Sequence, residues 1–215
     1  MLSLALIPSF VLLVIVLKGD KIEKEPASLL IKLFIFGALT TISAMLIGNA
    51  GTSVLSGLFD EGSLMYAFID NFFITALVEE GGKYFVLKKT TWKNPAFNYT
   101  FDAVVYAVCA SLGFATLENI LYLLDGTFET AVARGVLAVP GHVIDAIFMG
   151  YYYGMAKLSA SRGDEPGSKN LRRKALIIPM LLHGFYDFCL STEYDIFLVV
   201  FFIFEIVIMI FTIKK

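Results

Sequence analysis

The feature that most constrains this chain is a series of apolar blocks long enough to cross a lipid bilayer. A transmembrane helix needs about 20 mostly apolar residues, whereas the core of a soluble fold shows shorter runs with amphipathic periods. Of the 215 residues, 58% are hydrophobic and 17% are charged, while a soluble domain carries about 25% charged residues. The sequence therefore predicts an all-α polytopic membrane protein, with a single domain over residues 1–215.

Breaks rich in charge, Gly, Pro or Asn divide the chain into about seven predicted transmembrane helices. With the N-terminus outside, 14 of the 17 Lys and Arg residues lie in cytoplasmic segments, as the positive-inside rule describes. The C-terminus is then cytoplasmic, and the basic run at 172–174 needs no nucleic-acid partner. The predicted spans are residues 1–17, 29–47, 64–87, 101–124, 134–157, 175–190 and 196–213.

Polar and ionisable residues lie at bilayer depth in four of these predicted spans. Each charged residue there costs about 2.5–3.5 kcal/mol on insertion scales, so such residues face the bundle interior and serve a purpose. Both histidines of the chain belong to this group. The group comprises Glu79, Glu80, Lys83, Glu118, Asn119, His142, Asp145, His183 and Asp187. This concentration predicts a polar functional site inside the membrane.

The spacing of these residues indicates acid–base chemistry. Glu79 and Lys83 are four residues apart and share a helix face, and Glu80 also reaches Lys83 from three residues away. Two adjacent carboxylates beside one ammonium are expected to differ in protonation, one ionised against Lys83 and the other available as a base. His183 and Asp187 repeat the four-residue spacing, which sets an acid beside an imidazole and can fix its tautomer.

Structural interpretations of the same residues remain open. A buried Glu–Lys pair can simply lock helix packing, because polar residues also join helices in membranes. His142 and Asp145, three residues apart, could satisfy each other's hydrogen bonds. Asn119 could bond across helices rather than act chemically. Each member of the group is therefore predicted either to take part in chemistry or to fix the bundle.

A base-capable glutamate, a second carboxylate and a hydrogen-bonding histidine together favour activation of water and stabilisation of an oxyanion. No G-x-S-x-G or H-E-x-x-H motif occurs in the sequence. No cofactor is predicted, although a set of two His, Glu and Asp leaves a metal possible. Two non-protease alternatives use the same cluster: a proton-coupled transporter, and a non-catalytic membrane immunity or sensor protein.

Three motifs, on the third, fourth and sixth predicted spans, carry a family resemblance. Residues 79–83 match E-E-x-x-K, residues 114–119 match F-x-x-x-E-N, and residues 183–187 match H-x-x-x-D. With these motifs in this order, the chain resembles the PrsW family of bacterial intramembrane proteases. That family is related to the CAAX prenyl endopeptidases and the bacteriocin-processing Abi proteins. The resemblance covers nearly the whole chain and implies a glutamic-type protease.

The resemblance implies a role for most of these residues. Glu79 would be the general base that activates water, and Glu80 and Lys83 would shape its charge. Glu118 would stand where the prenyl endopeptidases have a histidine that helps to orient the water. His142 lies in a segment shared with PrsW-like proteins, without an implied role.

His183 and Asp187 would match the pair placed near the oxyanion. The prenyl enzymes have Asn in place of Asp187, and an ionised carboxylate cannot donate to an oxyanion. Asp187 is therefore expected either to be protonated or to act by orienting His183.

The resemblance also implies a substrate and a place in the cell. The protein would be a multi-pass protein of the bacterial plasma membrane, and its substrate a single-span anti-sigma factor. The first, site-1 cut would fall on the extracytoplasmic side, so that a second protease can release a stress-response sigma factor.

The predicted depths agree only in part. At 1.5 Å per residue, Glu79 lies about 22 Å from the outer end of its span, and His183 about 12 Å from the inner end of its own, which are compatible depths. Glu118 lies about 25 Å from the inner start of span four, nearer the outer face. We therefore expect Glu118 in the site only if that span begins after Asp102 and tilts.

Overall fold

The protein is helical throughout the part of the chain that its structure describes. The structure is a computed structural model in which residues 2–20, 23–192, 194, 196–197, 199–204 and 207 are described. Helices make up 85% of it, with no strand among the described residues. The α-helices are α1 (Leu2–Gly19), α2 (Ala27–Ser56), α3 (Leu64–Ile69), α4 (Leu77–Thr91), α5 (Asp102–Asp125), α6 (Phe128–Ala133), α7 (Val139–Ser161) and α8 (Glu165–Ser191). The all-α prediction is confirmed.

Two π-helical segments join pairs of α-helices into longer continuous helices. The segment π1 (Asp70–Ala76) connects α3 to α4, and π2 (Arg134–Ala138) connects α6 to α7. A π turn contains one extra residue per hydrogen-bonded ring and often occurs at functional sites. π1 ends three residues before Glu79, and π2 ends four residues before His142. Each widened turn therefore adjoins the predicted polar cluster.

Three helix starts are fixed by capping side chains. Ser63 accepts a hydrogen bond from the Tyr66 backbone N–H at the start of α3. Thr127 does the same for α6, and Asp164 accepts from the Gly167 N–H at the start of α8. Such caps satisfy backbone donors that have no partner within the helix. The loops thus end where a short polar side chain is available.

Helix α5 lies at the centre of the bundle and packs against α2 and α7. Glycines make these crossings close, since a Cβ on Gly37 of α2 would overlap the backbone of Ala110 in α5. A Cβ on Gly150 of α7 would likewise overlap the backbone of Val104. Small residues permit this backbone approach between membrane helices. The packing brings α4, α5, α7 and α8 together around one interior.

Three helical stretches in the described part of the chain are long and apolar enough to cross a membrane: Ala27–Ser56, Asp102–Leu124 and Phe128–Ser161. The outer face of α2 exposes large apolar side chains, including Leu46 at 68%. Continuous apolar surface of this kind suits contact with lipid. The chain is an integral membrane protein, and its seven crossings and orientation stay predictions. Predicted span 196–213 lies partly outside the described residues, and those described within it at 196–197, 199–204 and 207 are helical.

Candidate active site

The ionisable residues predicted to lie in four spans do meet in the interior of the bundle. Lys83 of α4 is at the centre, with its side chain 1% exposed. Its Nζ lies 2.6 Å from Glu80 Oε1 and 3.0 Å from His142 Nδ1, and 4.2 Å from the centroid of the Phe114 ring. An ammonium group only donates hydrogen bonds. The Nδ1 atom of His142 is therefore the acceptor, and its Nε2 atom carries the proton.

Glu118 belongs to the same cluster. Its Oε2 lies 3.0 Å from His142 Nε2 and 2.6 Å from Arg134 Nη2. The expectation that Glu118 joins the site only if its span begins after Asp102 is wrong, because α5 begins at Asp102 and Glu118 still contacts His142 and Arg134. Glu118 is about 10 Å from the end of α5, whereas Glu79 is about 22 Å from the start of α3.

His183 of α8 is held between carboxylates. Its Nδ1 lies 2.9 Å from Glu80 Oε1, and its Nε2 lies 3.1 Å from Asp187 Oδ2. Because a carboxylate only accepts, the imidazole can bond both partners only while it carries both protons. The four-residue spacing does set Asp187 beside the imidazole of His183, as predicted.

These contacts form one series of hydrogen bonds, ended by the His183–Asp187 ion pair, across four helical stretches. Each neighbouring pair of side chains lies within 2.6–3.1 Å. In order, the series runs Arg134, Glu118, His142, Lys83, Glu80, His183, Asp187. Donors face acceptors along it, so His142 has a defined tautomer and both imidazoles have a defined orientation.

Glu79 stands apart from this series. Its Oε2 is buried without a hydrogen-bond partner among the described residues, and lies 3.9 Å from Lys83 Nζ and 3.8 Å from His183 Nε2. Glu80 Oε2 is also unpartnered, but Glu80 is fully buried and its other oxygen accepts from Lys83 and His183. Glu79 is thus the carboxylate that can bond a water molecule or a substrate.

The structure also shows the contacts of the remaining predicted residues, Asn119 and Asp145. Asn119 Oδ1 accepts from Arg134 Nε at 2.8 Å, which confirms a bond across helices. The suggested pairing of His142 with Asp145 is wrong, since both nitrogens of His142 face other groups. Asp145 Oδ2 instead lies 3.9 Å from His183 Nδ1.

Arg134 is a member of the cluster that the sequence did not mark as functional. Its guanidinium bonds Glu118 and Asn119, and lies 3.8 Å from the centroid of the Tyr122 ring. No motif includes it. The available signal was its place at the outer edge of a span, where the positive-inside distribution leaves no other basic residue.

Two cavities meet at Glu79. An inner cavity of about 250 Å³ lies among α4, α5, π2, α7 and α8, and an open groove of about 500 Å³, the α2 groove, lies beside α2. The inner cavity is lined by Glu79, Glu118, Arg134, His142, Asp145, His183 and Asp187, among others. A free carboxylate, an imidazole donor and space for water together define a membrane-embedded hydrolytic site.

The comparisons with known proteins identify the family. The model of the PrsW family of intramembrane metalloproteases matches residues 25–213. The chain therefore belongs to the PrsW family, and it is a membrane protease. No solved structure matches it.

Several relatives share most of their length with this chain. Protease PrsW of Oceanobacillus iheyensis is 40% identical over 190 residues, which is 88% of this chain and 82% of that protein. Protease PrsW of Clostridioides difficile is 34% identical over 89% of this chain and 79% of its own. Protease PrsW of Bacillus subtilis is 34% identical over 88% and 82%. The match in each case includes the helices that form the site.

The family description implies a metal, and two groups of side chains have suitable donor types: Glu80, His142, Asp145 and His183, and Glu79, Glu118 and His142. A metal-binding imidazole must direct a lone pair at the ion. In His142, Nδ1 accepts from Lys83 and Nε2 donates to Glu118, while both nitrogens of His183 face carboxylates. The Lys83 ammonium also donates hydrogen bonds to Glu80 and His142, two of the four possible metal ligands in the first group. The residues as arranged do not fit a resident metal ion.

Proposed function

We propose that this protein is a glutamic-type intramembrane endopeptidase in which Glu79 is the general base. The observation that carries this proposal is the contrast between two neighbouring carboxylates. Glu80 accepts from Lys83 and His183, whereas Glu79 Oε2 is buried without a hydrogen-bond partner among the described residues, and the Glu79 residue lines both cavities. A base must reach the proton it removes, and Glu79 meets that requirement.

The chemistry assigns a role to each neighbour. Glu79 takes a proton from water as the water oxygen attacks the scissile carbonyl carbon, and later delivers that proton to the leaving amine nitrogen. His183, which carries both protons, keeps its Nδ1–H on Glu80 and shares its Nε2–H between Asp187 and the oxyanion as the oxyanion forms. Lys83 and Glu80 hold His142 and His183 in place, and Glu118 with His142 orients the attacking water.

The proposed substrate is a single-span anti-sigma factor, cut first on its extracytoplasmic side. Glu118 and His183 lie about 10 and 12 Å from the ends of α5 and α8. The distribution of Lys and Arg assigns those ends to the outside. These two residues favour a cut in the outer part of the bilayer, whereas Glu79, about 22 Å from the start of α3, lies deeper. The cut would start the release of a stress-response sigma factor at the bacterial plasma membrane.

A proton-coupled transporter is the second candidate, and the hydrogen-bonded series is the observation that favours it. Chains of Glu, His and Asp serve as proton relays in membrane carriers. However, a relay needs a path to both surfaces, and Asp187 and Arg134, the two ends of the series, both line the same inner cavity. Proton uptake by protein-containing liposomes that show no proteolysis would favour the transporter.

The deciding experiment is cleavage of a purified single-span anti-sigma factor in proteoliposomes. Glu79→Gln keeps the size of the side chain but cannot act as a base, and should lower the rate by a factor of about 10²–10⁴. Glu61→Gln, at an exposed position outside the site, is the matched control and should cleave like the wild type. Equal cleavage by Glu79→Gln, at an unchanged melting temperature, would sink the glutamic mechanism.

Metal dependence is tested in the same assay. Because the imidazoles have no free lone pair, we expect EDTA and 1,10-phenanthroline to leave the cleavage rate unchanged. Loss of activity on chelation, with recovery on adding Zn²⁺, would mean that His142 or His183 rearranges to bind an ion.

A further inference from the structure

The α2 groove reaches the catalytic glutamate from the side opposite α8. Four side chains line both this groove and the inner cavity: Thr75, Glu79, Glu118 and Tyr122. Thr75 and Glu79 are four residues apart on one wall, and Glu118 and Tyr122 are four apart on the other. A molecule in the groove therefore contacts Glu79 directly.

The volumes of the inner cavity and of the α2 groove indicate what each can hold. One turn of a helix with its side chains, about 10 Å wide and 5.4 Å long, occupies roughly 400 Å³. The inner cavity, at about 250 Å³, is too small for it, while the groove, at about 500 Å³, is large enough. The groove is thus suited to a helical segment and the inner cavity to a few extended residues.

The α2 wall of the groove is shaped for a second helix. Ala44, Gly48 and Thr52 follow one another at four-residue spacing, so they share a helix face. Small residues in such a row let another transmembrane helix approach closely. A Cβ added at Gly48 would meet no atom within 4 Å. The space above this position is open.

Asn49 adds a polar group to this wall. It is exposed, lines the groove and makes no hydrogen bond with the described residues, about 10 Å from the outer end of α2. Before a peptide bond in a membrane helix can be cut, its backbone N–H and C=O groups must leave the helix, and in lipid they then need new partners. The carboxamide of Asn49 offers both a donor and an acceptor.

We propose that the α2 groove is the docking site for the transmembrane segment of the substrate, with Asn49 binding backbone groups of its unwound part. This inference rests on the proposed protease function and names the surface through which that function is exercised. The segment packs on Ala44, Gly48 and Thr52 from the lipid side. Its unwound residues then pass between Glu79 and Glu118 into the inner cavity.

Two neighbouring substitutions on α2 test the docking site by cleavage. Gly48→Trp adds an indole to the groove at a position where a Cβ meets no atom within 4 Å, whereas Ile47→Trp adds the same bulk at a lipid-facing position, 54% exposed, that does not line the groove. We expect Gly48→Trp to lower kcat/KM for the membrane substrate at least tenfold and Ile47→Trp to leave it unchanged. Both should cleave a short peptide with the same cleavage sequence at the wild-type rate. Equal rates of membrane-substrate cleavage by both variants would overturn the docking site.

A crosslinking experiment does not depend on cleavage, so it tests the docking site independently of the proposed protease function. The background is Glu79→Gln with both native cysteines, Cys109 and Cys189, replaced by Ala. With a single cysteine in the span of the anti-sigma factor, Gly48→Cys should form a disulfide and Ile47→Cys should not. Crosslinking at both positions or at neither would mean that the groove holds only lipid, whatever the cleavage assay shows.

The role of Asn49 is tested by a separate measurement of kcat and KM. Asn49→Leu should lower kcat with little change in KM, because the lost hydrogen bonds form only as the segment unwinds. Asn49→Gln, which keeps the carboxamide, should recover part of the rate. If Asn49→Leu cleaves as fast as the wild type, Asn49 binds no substrate backbone.

Discussion

Glu79 and Glu80 are adjacent and chemically identical, yet their surroundings give them different uses. Glu80 accepts hydrogen bonds from Lys83 and His183 and has no exposed surface. Glu79 is rotated by about 100° around the helix axis and reaches the cavities instead. The sequence could predict that the two carboxylates differ. Which of them is held and which is free depends on partners from α7 and α8.

Arg134 gives a prediction at the residue scale. Arg134→Gln should lower the cleavage rate by about 10- to 100-fold, since a hydrogen bond to a charged group contributes about 1.5–3 kcal/mol. Arg134→Lys should recover only part of the rate, because an ammonium cannot bond Glu118 and Asn119 as a planar fork. The measurement is the cleavage rate in proteoliposomes, with added ethylguanidine to rescue Arg134→Gln.

The control for Arg134 is Arg162→Gln, at an exposed position just beyond α7. This change should alter neither the rate nor its response to ethylguanidine. Wild-type activity in Arg134→Gln would show that Glu118 and His142 need no guanidinium to hold them.

Glu25, between α1 and α2, predicts a pH-dependent stability. Burial raises the pKa of this carboxyl from 4.5 to about 7, against the lowering effect of a hydrogen bond from the Tyr106 hydroxyl. The folded state thus binds the proton more tightly than the unfolded state. The resulting stability is fully present below pH 4.5 and is lost as the pH rises to about 7.

We expect the melting temperature in detergent to fall between about pH 5 and about pH 8, and to fall less in Glu25→Gln. Glu23→Gln, an exposed neighbour on the same loop, should follow the wild type. Parallel curves for all three proteins would contradict the buried-carboxyl explanation.

The helices themselves were largely predictable, because apolar blocks between polar breaks mark them. The predicted end of the second span at residue 47 was nine residues short of Ser56. Asn49, Gly51 and Thr52 interrupt the hydropathy but not the backbone hydrogen bonds. The sixth span likewise begins earlier than predicted, at Glu165, where Asp164 caps a charged first segment.

The π segments were not predictable, because an extra residue in one turn leaves no mark in hydropathy. Whether the backbone closes an α or a π ring is decided by what packs against it. The same limit explains the depth estimate for Glu118. It assumed straight helices with level ends, whereas the helices continue for different lengths beyond the site.

Deleting Val136 tests π2 at the scale of the element. Removing one residue should convert the π turn into an α turn and rotate α6 relative to α7 by about 100°. Arg134 would then leave Glu118, and we expect at least a tenfold loss in cleavage rate. Val136→Ala removes the same 65% exposed side chain while keeping the turn, and should retain activity. A fully active deletion would mean that π2 does not position Arg134.

Topology gives a prediction at the scale of the whole molecule. A cysteine at exposed Glu61 should react with a membrane-impermeant maleimide in intact cells, and a cysteine at exposed Arg162 only after permeabilisation. Native Cys109 and Cys189 are both buried and should react slowly. Labelling in the reverse pattern would invert the orientation and move the proposed cut to the cytoplasmic side.

The scarcity of strongly apolar helices has a consequence for how the protein is made. In the described part of the chain, neither α4 nor α8 is among the three stretches apolar enough to cross a membrane unaided. These two helices carry Glu79, Glu80, Lys83, His183 and Asp187, and each charge opposes partition from the translocon into lipid by about 2.5–3.5 kcal/mol. Their charges find partners in each other and in α7, since Glu80 of α4 bonds His183 of α8 and Lys83 of α4 bonds His142 of α7. We therefore expect α4 and α8 to leave the translocon only in company with those partners, so that membrane insertion and assembly of the site are a single event.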